Sequence, residues 1–362
     1  MNTRNECINI VRKVLSSNDH DISKISFVEG EQLDYLSSVD IDTGVIKFPI
    51  LQEVFLILYE LDEGKRILYL FLAISLLDNN EYESCEEVLE ILEKEGLPTC
   101  HDSKTLYRSI LVKQLFIILH ECGHFFNESD EEWNKKICEY NIEASRNFII
   151  QPLDESVVKK IAYEEHKWCP EVPISVMESV IRKQSSEEGV RSSIGVFFSK
   201  KYFVEEFNAD VFALEALETF FKEDREFKVT EKTVKSILEG ASTIYAILFL
   251  KNDLILYSDE DGDEEEQYLN IVSPLSKFRF GLLGSMISKL TNKSVIDYFD
   301  ILYNYMYKVF LFEKSDDEAD VLDDYMEDSF DSNYNQTNLI ERNRLCKRIM
   351  AYADSIMGLY DK

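Results

Sequence analysis

Apolar positions along this chain recur mostly at helical spacing, and few stretches read as strands. Residues 5–15 make a short amphipathic helix, with Ile8, Val11 and Leu15 on one side. Residues 24–28 and 45–50 read as strands, and Asp42-Thr43-Gly44 supplies a turn before the second. Residues 54–61 and 67–77 are apolar and rich in leucine without alternation, which predicts two buried helices split by Asp62-Glu63-Gly64-Lys65; the first is also compatible with a strand. Residues 82–95 form another helix, closed by Gly96 and Pro98. Ser103 is the expected cap of a long helix that ends near Phe126.

Beyond that helix the pattern predicts a polar stretch at 127–133 and a helix to about 150. Pro152, Pro170 and Pro173 punctuate the segment that follows. Residues 174–184 read as helix, 193–199 as a strand and 202–221 as a strong helix. Thr230 or Glu231 opens a further helix to about 257, and helix returns at 274–312. Asn338, with Glu341 three residues later, makes a capping box for a last helix to about Met357. The implied organisation is a core over 1–257, an acidic loop at 258–268, a helical continuation of the core at 269–312, an acidic linker at 313–335 and a C-terminal helix at 336–362. The acidic loop has its glycine and acids in the wrong order for a calcium-binding loop and reads as solvated.

Glycine (12) and proline (6) are scarce among 362 residues, which favours a mainly helical, α+β fold over a turn-rich β fold. The 39 basic and 69 acidic residues give a net charge of −30, which argues against nucleic acid and anionic membranes as partners. Seven cysteines are scattered without close pairing, as in a reducing compartment. The apolar runs are too short to span a bilayer and the first residues lack a signal-peptide core, so the expectation is a cytoplasmic protein.

The chemistry concentrates in 115–126, LFIILHECGHFF, with its pattern His120-Glu121-x-x-His124. Residues four apart lie on one helical face, so the two imidazoles can hold one metal ion from the same side. Glu121 sits about 100° further round and can reach a water at the metal as a general base. Only five histidines occur in the chain, which makes this spacing improbable as chance. The apolar flank implies that these groups are buried, where they need partners or a metal. Zn²⁺ suits two imidazoles, a third protein ligand and an open position.

The third ligand is best sought in 202–217, YFVEEFNADVFALEAL. Glu206 has Asp210 at i+4 on the same face, so Glu206 can bind metal while Asp210 accepts a hydrogen bond from a ligand imidazole. Glu205 is the rival, without an aspartate at i+4. Ala209, Ala213 and Ala216 would let this helix approach another closely. Cys122 and His166 are weaker candidates, the first as a core residue or nucleophile and the second at a cleft edge.

His120-Glu121-x-x-His124 followed by Glu206-Phe207-Asn208-Ala209-Asp210 resembles the E-x-x-A-D form of the gluzincin metallopeptidases. The pattern is similar to that of the CAAX-prenyl and heat-shock membrane endopeptidases, here without their membrane helices, and to that of phage-exclusion peptidases of the Lit type and repressor-cleaving proteases of the ImmA kind. The match covers only the two helices. The resemblance implies a zincin-like core with a small sheet and additional helices, Zn²⁺ as cofactor, a protein or peptide substrate, and an endopeptidase acting in phage defence or regulation. In these families a His-Pro segment followed by an arginine often comes later. Here Ser273-Pro274 replaces it, and Arg279 is the candidate substrate-binding arginine. The alternative is a zincin-fold acidic interaction module whose metal site is structural or vestigial.

Overall fold

The computed structural model describes residues 3–129, 155–198, 201–223 and 338–361, together with several positions at 132–139 and most of 232–240. The expected acidic loop, the helical stretch 274–312 and the acidic linker lie outside the described residues. What is described is mainly helical, with one small sheet.

Helix α1 (Thr3–Ser17) leads through a short 3-10 turn into strand β1 (Ser26–Glu29), then β2 (Ser38–Asp40) and β3 (Val45–Phe48). The strand order is β1-β3-β2, with β1 parallel and β2 antiparallel to the central β3. Ile46 pairs with Phe27 on one side and Val39 on the other, and it is fully buried. Strand β2 carries too few alternating positions to be read from sequence. Gly44 enters β3 with φ +67, a left-handed conformation that few other residues adopt, and a side chain there would strike the Lys24 carbonyl.

Helices α2 (Ile50–Glu60), α3 (Gly64–Asp78) and α4 (Tyr82–Glu95) follow. The unbroken apolar runs of α2 and α3 are helical, as expected, because both helices are enclosed on nearly all sides. Gly96 closes α4 with φ +70. Helix α5 (Ser103–Glu128) is the spine. Its cap is Asp102, whose side chain accepts from the Thr105 amide at 3.0 Å, and not Ser103, which is already in the first turn. It also runs past Phe126 through Asn127 and Glu128 before Ser129 caps it.

Further on lie α6 (Glu155–Trp168), α7 (Ile174–Ser185), α8 (Glu187–Phe197) and α9 (Lys201–Glu223). Of the strand expected at 193–199, residue 199 lies outside the described residues, 198 is a turn, and 193–197 are instead the second half of α8. Glu187 and Glu188 in its first turn suit the helix dipole, and Arg191 pairs with Glu187 one turn on. A short apolar run does not itself distinguish strand from helix. Helix α10 (Leu339–Met357) starts at Asn338, whose side chain accepts from the Glu341 amide at 3.3 Å. Among the described residues no helix is long and apolar enough to cross a membrane.

Two apolar cores meet at α5. One joins α2, α3, α4 and α10 through residues such as Phe55, Leu70, Leu89 and Ile349. The other joins α1, the sheet, α5 and α9 through Val11, Phe48, Leu115 and Leu217. Helix α5 contributes to both and is buried nearly all round. Arginines of α10 fasten it to α4 by side-chain pairs: Arg344 with Glu86, and Arg348 with Glu86 and Glu93.

Inside this spine sits a wholly buried cation. Lys113 of α5 pairs with Glu60 of α2 and, at 2.9 Å, with Glu239, and its ammonium lies 5.1 Å from the Tyr59 ring centroid. Burial would push the Glu60 carboxyl up, but the charge and hydrogen bond of Lys113 outweigh it and hold it below the usual range. Folding therefore favours the ionised form. The stability this gives is complete above the unfolded carboxylate value of about 4.3 and is lost as pH falls through the folded value.

Removing Lys113 takes the buried partner from Glu60 and leaves Glu239 to Lys235 at 3.4 Å, so Lys113→Ala should lose about 3 kcal/mol in urea unfolding. Glu60→Gln should be less stable than wild type at neutral pH, with the gap closing below about pH 4. Equal stability of Lys113→Ala and wild type would show that water screens this cluster.

Candidate metal centre

The site is built where α5 crosses α9. Gly123 lies at the contact: a Cβ there would come within 2.9 Å of Ala209 Cα and 3.0 Å of its carbonyl oxygen. The missing side chain thus admits the backbone of α9. Ala209 and Ala213 are fully buried, Ala216 nearly so, as close helix packing requires. The Asn127 amide donates to the Asn208 carbonyl at 3.2 Å, a polar stitch across the same contact.

At this crossing His120, His124 and Glu206 converge, with their ligand atoms all within 4.8 Å of one another, and such a group could hold a metal ion. His120 Nε2 and His124 Nε2 are 3.1 Å apart, and the two Glu206 oxygens stand 3.4 Å from one imidazole nitrogen each. The rings are perpendicular, at 89°, so both present an edge to one point. Of the two glutamates considered, Glu206 is the one that reaches the imidazoles.

Each imidazole is held from behind by a carboxylate. His120 Nδ1 is 2.9 Å from Asp210 Oδ1, an ion-pair distance somewhat off the ideal hydrogen-bond line. Asp210 has no exposed surface. The i+4 spacing from Glu206 predicts a hydrogen bond here, and the structure gives the 2.9 Å approach. His124 Nδ1 is 2.9 Å from Glu128 Oε1 on its own helix. Glu128 lies beyond Phe126, where the apolar pattern of the helix ends in the sequence. The visible signal was the i+4 spacing of His124 and Glu128, provided that the helix continues.

Burial disfavours a charged imidazole, but carboxylates reverse the balance. Asp210 and Glu206 raise His120 above its ordinary value, and Glu128 and Glu206 raise His124 to about 10. The 3.1 Å between the two Nε2 atoms leaves room for one proton between them, so the pair cannot carry two there. Glu121 is buried beside the cluster. Burial pushes its carboxyl up and Glu206 adds to this, while the imidazoles oppose it. A carboxylate made more basic in this way is suited to taking a proton from water.

Cys122 is wholly buried in the second core, and burial pushes its thiol well above the ordinary value, so it packs and does not act as a nucleophile. His166 lies apart from the metal group, with Nδ1 3.0 Å from the Val172 carbonyl. Arg279 and Ser273 lie outside the described residues. Comparison with protein-family models, with curated proteins and with solved structures returns no match.

Gly123→Ala tests the crossing. Helix propensity alone would stabilise α5 by about 1 kcal/mol. The clash with Ala209 should override this, lowering the melting temperature and weakening metal binding in a chelator competition. A more stable variant with wild-type metal affinity would place the α5–α9 contact elsewhere.

Proposed function

We propose that this chain is a zinc-dependent endopeptidase with a zincin-like core, in which His120, His124 and Glu206 hold Zn²⁺ and Glu121 is the general base. The observation that carries the reading is the convergence of two imidazoles and one carboxylate from two helices, with one ligand atom from each all within 4.8 Å of one another. Two imidazoles and one carboxylate are also a donor set that leaves a fourth position for water or substrate.

Bound zinc supplies Lewis acidity towards a carbonyl oxygen and acidifies water to a pKa of about 7. The chain's own groups do the rest. Glu121 takes a proton from the attacking water as its oxygen bonds to the peptide carbonyl carbon. It then hands that proton to the departing amine nitrogen as the C–N bond breaks. Asp210 holds His120 in the tautomer that offers Nε2 to the metal. The net charge of −30 opposes a polyanionic substrate and is compatible with a protein or peptide one.

The purified chain should carry about one zinc ion. His120→Ala and Glu206→Ala should lose it, while Glu205→Ala should keep it. Glu121→Gln should retain zinc yet lose at least about 100-fold in hydrolysis of casein or a peptide library. Zinc retained in both ligand variants would overturn the metal assignment. A zinc-loaded wild type that cleaves nothing in such a library would leave a structural metal site in place of a peptidase.

A further inference from the structure

We infer that Glu128 is a positioning residue of the metal centre: from the last turn of α5 it fixes the tautomer and aim of His124. The inference rests on the metal reading above, though not on peptidase activity. His124 Nδ1 and Glu128 Oε1 are 2.9 Å apart, and both side chains are largely shielded, at 14% and 17% exposure. An ionised carboxylate only accepts hydrogen bonds, so Nδ1 must carry the proton. Nε2 faces His120 and Glu206, and it offers its lone pair once a metal takes the place of the proton there. The carboxylate also makes the imidazole a more basic ligand.

The two imidazoles are held differently. Asp210 belongs to α9, so its hold on His120 exists only when the two helices cross. Glu128 lies one turn beyond His124 on α5 itself, so its hold is local to one helix. The hold of Glu128 on His124 thus does not require α9. This also gives the extension of α5 past Phe126 a purpose, since ending the helix there would remove Glu128 from the imidazole. The Ser129 amide closes the extended turn on the Phe125 carbonyl at 3.0 Å.

The test uses the full chain with Zn²⁺ in chelator competition, and nitrogen NMR of the histidine rings in the zinc-loaded protein. Glu128→Ala should bind zinc about 10–100-fold more weakly. Glu128→Gln keeps an acceptor oxygen at the same reach and should lose less. In the wild type His124 should show a protonated Nδ1 and a metal-bound Nε2. In Glu128→Ala the Nδ1 proton signal should broaden or shift while that of His120 stays in place. The far-ultraviolet circular dichroism of the metal-free Gln variant should match wild type, which separates positioning from loss of the fold. Wild-type zinc affinity and an unchanged His124 ring signal in Glu128→Ala would overturn the inference. A wild-type chain that takes up no zinc would remove the metal reading and this role with it.

Discussion

Two helices far apart in the chain can touch backbone to backbone only where a side chain is missing, and here that place is Gly123. The crossing fixes everything around it. It sets Ala209 against α5, which brings Glu206 and Asp210, one turn apart, to the two histidines. A glycine in mid-helix costs local stability. The cost is accepted at the one position where a wider approach would pull the carboxylates away from the imidazoles.

Helix α5 carries two buried polar centres, and they solve the same problem differently. Lys113 is neutralised by carboxylates from other parts of the chain and needs nothing further. About two turns on, four carboxylates (Glu121, Glu128, Glu206 and Asp210) surround two imidazoles that have room for one proton between their Nε2 atoms. Protein groups alone leave that second centre rich in negative charge. A divalent cation at the meeting point would balance it without crowding the Nε2 atoms.

The sequence made the motif legible because both halves of the site are local. His120 with His124, and Glu206 with Asp210, are each an i+4 pair, and a helical pattern suffices to place each pair on one face. Their meeting was legible only through the small residues Gly123 and Ala209, which permit a close crossing without specifying its partner. Glu128 escaped because a polar run after Phe126 looks like a loop when the tertiary burial of Asn127 and Glu128 is not visible. Strand β2 escaped because three residues cannot show an alternation. The segment at 193–199 misled because its apolar residues are too few to show a period, and the acidic start of α8 lay outside the stretch considered.

His124 and Glu206 lie about eighty residues apart, and α6, α7 and α8 occupy much of the interval. A metal gripped by both would act as a removable cross-link, closing that stretch into a ring. In the chain-entropy view, closing a loop of this length takes about 4–5 kcal/mol of freedom from the unfolded chain, an amount comparable to a disulfide spanning the same residues. Unlike a disulfide, such a link would open whenever a competing ligand withdrew the ion. The α5–α9 crossing would then hold the interval by packing alone, so the metal content of the surroundings would set how firmly this half of the protein is closed.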